Sequence, residues 1–389
     1  MKKLSSRGGS FTDSVIRRMT RISNRYGAVN LSQGFPDFDP PAEILRRLEQ
    51  VSHEDYNQYS ITWGAKNLRD AIAKKQTHFM GHPIDPESEI VITCGSTEAM
   101  MSAVMTVTDP GDKLVVFSPF YENYGADAIL AGAEPIYVPL YPPEFGFKPE
   151  ELEAAFRQNP KALILCNPSN PSGKVFTRDE LLLIADLAEK YDVYVITDEV
   201  YEHIVYKPYE HVYFATLPGM WERTICCSSL SKTYSITGWR LGYIIAKPEI
   251  VDVAKKVHDF LTVGAAAPLQ EAVIPGLLFG QDYYDELLNV YTEKRNLLLK
   301  GLDDIGIGHT YPQGAYYVLL DISRFGFDSD LEFCEVLARD VGVGAVPGSS
   351  FFHEPVNHLI RLHFAKKEET LLEALNRLES IYRKIPARK

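Results

Sequence analysis

After Asp39-Pro40-Pro41 the chain alternates between short apolar runs rich in Val and Ile and longer stretches with helical periodicity. The runs cover residues 89–94, 113–117, 162–166, 193–197, 224–228 and 239–245, and amphipathic stretches at 96–107, 178–190 and 248–261 lie between them. Apolar runs of this length, each followed by a helical pattern, read as strands covered on both faces. The expectation is an α/β fold with a mostly parallel sheet and helices on both sides.

Beyond about residue 282 the pattern changes. Helices are expected over 285–302, 331–341 and 367–384, with strands near 314–322 and 359–364, which together describe a smaller α+β unit. A helix over about 12–26 precedes the Pro-rich crossing and is expected to join it. The predicted division is a large domain over 42–284 and a small one formed by 1–41 together with 285–389. No internal repeat, low-complexity tract or flexible linker is evident.

The polar motifs fall directly after the apolar runs, where an open α/β sheet collects its ligands. The stretch SSLSKTYSITGWRLGY, residues 228–243, frames Lys232 with small hydroxyl residues and places Arg240 eight positions later. A lysine amine in water is protonated, so it forms imines or acts as a base only where its surroundings disfavour the cation, and Arg240 contributes to that. Ser229, Ser231 and Arg240 offer hydroxyls and a guanidinium fork suited to phosphate oxygens. The stretch therefore suits a phosphate-bearing aldehyde, against the plainer alternative of a solvated lysine in a Ser/Thr-rich loop.

Gly95-Ser96-Thr97 stands between a predicted strand and a helix, where free backbone N–H groups and the helix dipole favour an anion; the plainer reading is a helix cap. Asp198 ends the run VYVIT, and a carboxylate there needs a cationic or donor partner, such as a pyridinium nitrogen, unless it only caps a helix. Tyr201 lies three residues on. In CNPSNPSG, residues 166–173, two Asn-Pro steps force an irregular turn that aims the Asn170 amide at the sheet edge, where it can donate to a phenolate oxygen. Tyr121, in SPFYENY, suits stacking on a planar ring or core packing. Arg361 sits among apolar residues in LIRLHFA and requires a carboxylate, from a ligand or from an internal salt bridge.

Composition narrows the partners. A formal net charge of −12 argues against nucleic acid or an anionic membrane as the main partner. The five cysteines form no CxxC pair and lie in apolar surroundings, which fits reduced thiols packed in a core rather than disulfides or a metal site. No apolar leader follows the basic first residues and no run has the length of a membrane span, so a cytoplasmic location is expected.

Taken in order, GFPDF (34–38), YSITWGAKNLR (59–69), GST (95–97), SPFY (118–121), NPSNPSG, DEVY, SLSKTYSITGWRLG, PQGAYY (312–317), PGSSF (347–351) and IRLHFA resemble the class I aminotransferases of the aspartate aminotransferase family, pyridoxal 5'-phosphate enzymes of fold-type I. GFPDF is also similar to the glutamine transaminase K and kynurenine aminotransferase branch. The resemblance covers nearly the whole chain. It implies a seven-stranded, mostly parallel sheet in the large domain, with Lys232 as the coenzyme-binding lysine and Asp198 as the partner of the pyridinium nitrogen. It implies that Tyr201 and Asn170 donate to the ring phenolate and that Tyr121 stacks on the ring. Ser229, Arg240, Gly95, Ser96 and Thr97 would form the phosphate cup, with Tyr59 reaching it from a neighbouring subunit, which implies a homodimer. Arg361, with Gly34 beside it, would clamp the substrate α-carboxylate.

The activity so implied is ping-pong transfer of the α-amino group of an L-amino acid to a 2-oxo acid such as 2-oxoglutarate. The stretch HDFLTVGAAAP (258–268) contains no second arginine for a distal carboxylate, so strict aspartate specificity is not expected. Phe35, Tyr121 and Tyr316 are candidates for an aromatic or apolar side-chain pocket. Two rivals are a β-eliminating lyase with the same coenzyme and a non-catalytic ligand-sensing module of a transcription regulator. The second is disfavoured by the acidic charge and the lack of a basic helix.

Overall fold

The computed structural model describes residues 2–9 and 13–388. Its strands, in chain order, are β1 (Val29–Asn30), β2 (Ile90–Thr93), β3 (Lys113–Ser118), β4 (Glu134–Pro139), β5 (Ala162–Cys166), β6 (Tyr194–Asp198), β7 (Thr224–Ser229), β8 (Gly242–Ile245), β9 (Tyr317–Asp321), β10 (Val343–Gly344), β11 (Val346–Pro347) and β12 (Leu359–His363). Seven of them form the central sheet in the order β2-β8-β7-β6-β5-β3-β4. Only β8 runs antiparallel to its neighbours, β2 and β7; the rest pair in parallel.

Alternation along each strand sends side chains to opposite layers. Val115, Phe117, Leu163, Leu165, Val193 and Val195 pack into one buried cluster, while Leu114, Val116, Ala162, Ile164, Ile196 and Ile225 pack into another. Both faces of the sheet are thus covered, which is why the strands read as unbroken apolar runs. The parallel register sets Cys166 opposite Asp198 and Asp198 opposite Cys227. Three polar strand ends therefore meet at one edge.

The C-terminal part carries the antiparallel sheet β11-β12-β9, and β1 pairs in parallel with β10. Met19 and Ile22 of the helix Val15–Tyr26 share one core cluster with Leu298, Phe333, Leu362 and Leu378. The N-terminal segment thus packs with residues from the far end of the chain.

Several boundaries differ from the expectation, each for a local reason. The run 239–245 is strand only over β8: Thr237–Trp239 forms a single 3₁₀ turn and Arg240 adopts a left-handed conformation, with φ 54°. Strand β4 carries prolines at Pro135 and Pro139 and lies at the sheet edge, the one place where prolines leave the ladder intact, so it lacks the signature of a central strand. The helix expected over 285–302 spans Gln281–Ile305. The one expected over 331–341 is an α-helix at Asp330–Val336 that widens into a π-helical turn at Leu337–Val341. The last helix breaks after Leu378 and resumes at Ile381. The helix expected over about 12–26 starts at Val15 behind a Ser14 cap, after a short helix at Ser6–Gly9; Thr12 lies outside the described residues.

One buried ion pair fixes the segment that follows β6. Glu202 accepts from Lys75 Nζ at 2.9 Å, Gln76 Nε2 at 3.1 Å and Tyr213 OH at 2.7 Å, with both charged side chains almost fully enclosed. Burial pushes the Glu202 carboxyl up, but Lys75, His203 and the Tyr213 and Gln76 donors together hold it below the usual carboxylate range. The pair ties the helix Lys66–Met80 to the loop bearing Tyr201. Lys75→Met is expected to lower stability by about 3–5 kcal/mol, because it strands a buried carboxylate, whereas the double variant Lys75→Met, Glu202→Leu should recover most of that loss. Urea unfolding of both variants measures it; equal losses would show that the charge is not the cause.

Candidate active site

A cleft of about 1400 Å³ lies at the edge where the parallel strands end, closed on the other side by the N-terminal helix and by β11 and β12. Its lining includes Gly34, Ser96, Thr97, Tyr121, Asn170, Asp198, Tyr201, Ser229, Lys232, Arg240 and Arg361. The sequence scatters these residues over more than three hundred positions, and the topology gathers them.

Lys232 stands on the short helix Leu230–Thr233, which starts from the end of β7 with Ser229 as its cap: Ser229 Oγ accepts from Ser231 N at 3.0 Å and donates to Leu241 O at 3.1 Å. The part-buried amine donates only a long 3.4 Å bond, to Gly34 O, and lies 5.9 Å and 5.7 Å from the Tyr201 and Tyr316 ring centroids. Loss of solvation, then the Arg240 charge, lowers its pKa to about 8, against the opposing pull of Asp198. The amine is therefore partly neutral near physiological pH.

Asp198 is 6% exposed at the end of β6. Tyr124 OH donates to its Oδ2 at 2.6 Å, and Val200 N to Oδ1 at 3.4 Å. Burial raises this carboxyl above the usual carboxylate range, against the pull of those two donors and the Lys232 charge. Tyr201 OH lies 2.9 Å from Tyr317 OH, and burial raises both phenols. Asn170 Oδ1 accepts from Arg361 Nη1 at 2.7 Å, leaving the amide nitrogen of that side chain free to face the cleft. Tyr121 forms part of the wall, edge-on to Tyr124 with ring centroids 6.0 Å apart.

Arg361 is 1% exposed, yet among the described residues no carboxylate lies within ion-pair distance of it. Its Nη2 donates to Ser32 O at 3.1 Å, its Nε has no partner, and the guanidinium is sandwiched 4.3 Å from the Tyr317 ring and 4.5 Å from the Phe351 ring. The internal salt bridge that would have explained a buried arginine is absent. A buried guanidinium so placed has the donors to take an external carboxylate.

The other end of the cleft gathers groups that suit an anion. Gly95, with φ 83°, leads into the helix Ser96–Val107, whose first N–H groups have no side-chain cap. A Cβ on Gly95 would strike the Arg240 guanidinium, and one on Gly242 would lie 2.5 Å from Gly95 C and 2.7 Å from Ser96 N. Both positions need glycine so that β8, the turn and the arginine can close together. The buried Ser231 Oγ lacks a partner.

Tyr59, expected to act from a neighbouring subunit, is 89% exposed and outside the cleft of its own chain, beside Asn57, Ser60, Val263 and Pro268. One residue stands elsewhere than the sequence suggested. Tyr316, expected in a side-chain pocket, is fully buried behind the wall with its OH on Gly34 O at 3.0 Å, and Tyr317 takes the cleft position. Gly34 tolerates no side chain because a Cβ would abut the Tyr317 hydroxyl.

Sequence reasoning missed Tyr124, Tyr317, Ser32 and Asp127. Tyr124 and Asp127 share one face of the helix Asn123–Ala131; Asp127 is 4% exposed with Oδ2 unpartnered, and burial, then Asp198, raises it to about 8. The three-residue spacing of Tyr121, Tyr124 and Asp127 was the available signal. No metal-binding group of His, Cys, Asp or Glu occurs among the described residues, the five cysteines are free, and no helix there is long and apolar enough to cross a membrane.

Known proteins match this chain over most of its length. The family model described as aminotransferase class I and II matches residues 26–378. A probable N-succinyldiaminopimelate aminotransferase of Mycobacterium tuberculosis is 36% identical, covering 96% of this chain and 97% of the relative. The methionine aminotransferase of Escherichia coli is 35% identical, covering 94% and 95%. The solved structure of N-succinyldiaminopimelate aminotransferase from M. tuberculosis superposes with a TM-score of 0.94 over 98% of this chain and 100% of that one. With a matched model over most of its length and relatives of this identity, the chain belongs to the class I and II aminotransferases.

Proposed function

We propose that this aminotransferase holds pyridoxal 5'-phosphate on Lys232 and moves the α-amino group of an L-amino acid with a large, uncharged side chain to a 2-oxo acid. The observation that carries the reading is the buried Arg361 without a carboxylate of its own, facing the same cleft as an amine whose pKa is lowered to about 8. The residues present fit the coenzyme. The uncapped Ser96 turn, Arg240, Ser229 and the unpartnered Ser231 hydroxyl suit its phosphate, and Asp198 suits a protonated ring nitrogen. When bound, the coenzyme supplies an aldehyde for the lysine and a ring that draws electrons from the substrate α-carbon.

The chain's own groups do the rest. Arg361 takes the α-carboxylate in a fork of N–H donors and so fixes the α-carbon. Asp198, buried at the end of β6 beside Tyr124, would pair with a protonated nitrogen on the group that faces it. Lys232 Nζ, partly neutral, accepts the α-proton and returns it, while Tyr201 and Asn170 present hydrogen-bond donors beside it. Phe35, Tyr121, Val15 and Ile16 give the cleft an apolar stretch of wall, which favours neutral side chains over a second carboxylate.

The division into residues 42–284 and residues 1–41 with 285–389 belongs to this reading, with the cleft between the two parts. A homodimer belongs to it as well. Tyr59 and Phe260, 89% and 92% exposed, would be covered by a second copy and Tyr59 would reach the neighbour's phosphate site.

Lys232→Ala is expected to abolish turnover and the borohydride-trapped adduct; an active variant would sink the assignment. Uptake of the coenzyme requires the neutral amine, so its rate should rise about tenfold between pH 7 and pH 9 and then level off, as stopped-flow absorbance would record. Arg361→Leu should lower kcat/KM about a hundredfold for every donor alike. A donor screen against 2-oxoglutarate tests the substrate class, and ammonia release without any added oxo acid would favour a β-eliminating lyase instead.

A further inference from the structure

His258 has no exposed surface and was not singled out by any motif, yet it makes the densest set of polar contacts behind the anion-binding turn. Its Nδ1 lies 3.0 Å from both carboxylate oxygens of Glu98, and its Nε2 lies 2.8 Å from Thr62 O. A carboxylate and a carbonyl only accept, so with Glu98 ionised both ring nitrogens donate and the imidazole is a cation. Thr262 Oγ1, 3.2 Å from Nδ1, can accept there as well while giving its own proton to His258 O at 3.3 Å.

Glu98 in turn accepts from Cys94 N at 2.9 Å through Oε2 and from Ser102 Oγ at 2.7 Å through Oε1. Cys94 and Glu98 bracket the Gly95-Ser96-Thr97 turn, and Thr62 follows directly on the exposed segment that carries Tyr59. One side chain of the helix Pro248–Thr262 thus joins the phosphate-side turn to that segment.

We propose that His258, held as an imidazolium, is a positioning residue for the anion-binding end of the cleft, locking the Gly95-Ser96-Thr97 turn through Glu98 and the Tyr59 segment through Thr62. The inference rests on the coenzyme reading above. Glu98, Asp259 and the Thr62 carbonyl face the ring and favour the cation, and they outweigh the burial that opposes it, so the pKa lies above the ordinary histidine value. A group with a raised pKa contributes fully below its unfolded value, and the contribution is lost as pH rises through the folded one. The lock is therefore fully present below the ordinary histidine value and released as pH rises above it.

The test is pyridoxal 5'-phosphate binding to coenzyme-free protein from pH 6 to pH 9.5, for the unaltered chain and His258→Gln. The variant should bind about tenfold more weakly at pH 6, the effect of one lost charged hydrogen bond. The difference should shrink as pH rises. A ratio of affinities that stays constant with pH, or no difference at all, would overturn the proposal. Uptake by neither protein at any pH would overturn the coenzyme reading and this inference with it. Should the variant fold poorly, the imidazole carbon resonances of the unaltered protein decide. A charged ring at pH 7.5 supports the lock, and a neutral ring at pH 6.5 overturns it.

Discussion

The architecture turns on how one cleft balances its charges. Lys232, Arg240 and Arg361 face it as cations, and Asp198 is the buried anion set among them. The remaining carboxylates are already engaged: Glu98 by His258, Glu122 by the Ser14 hydroxyl and Asp13 by Arg21, while Asp127 is raised to about 8 by burial and by Asp198. A phosphate at one end with a carboxylate at the other would match the two places in this interior where donors stand unused, the Ser96 turn and Arg361.

The sheet makes that interior possible. Parallel strands bring Cys166, Asp198 and Ser229 to one edge, and the antiparallel β8 places Gly242 against the Gly95 turn. The second, antiparallel sheet supplies Arg361 from β12 and Tyr317 from its partner β9. Tyr317 then touches both halves of the site, with its hydroxyl on Tyr201 and its ring under Arg361. Precision in the cleft is inherited from register rather than from loops.

Much of this was legible in the sequence because function and fold were written in the same places. Lys232, Asp198, Asn170 and the Gly95 turn each follow an apolar run, so locating the strands located them. What escaped was the layer behind. Tyr124 answers Asp198 from 74 positions away and His258 answers Glu98 from 160, and no local pattern announces a partner that only the fold brings near. Strand β4 escaped because edge position tolerates the prolines that would disqualify a central strand. Arg240 looked like part of a strand because its neighbours are apolar, whereas its left-handed backbone is what turns the guanidinium onto Gly95.

The insertion of β8 between β2 and β7 also constrains how the chain is made. Strand β2 is the first of the sheet to be synthesised and has no neighbour other than β8, which is the last. During translation, at about 5–20 residues per second, it waits with both edges open until most of the large sheet has emerged. The Gly95-Ser96-Thr97 turn at its end, which Gly242 of β8 closes, can be assembled only then, so this end of the cleft is completed after the rest of the large sheet rather than serving as a seed for it.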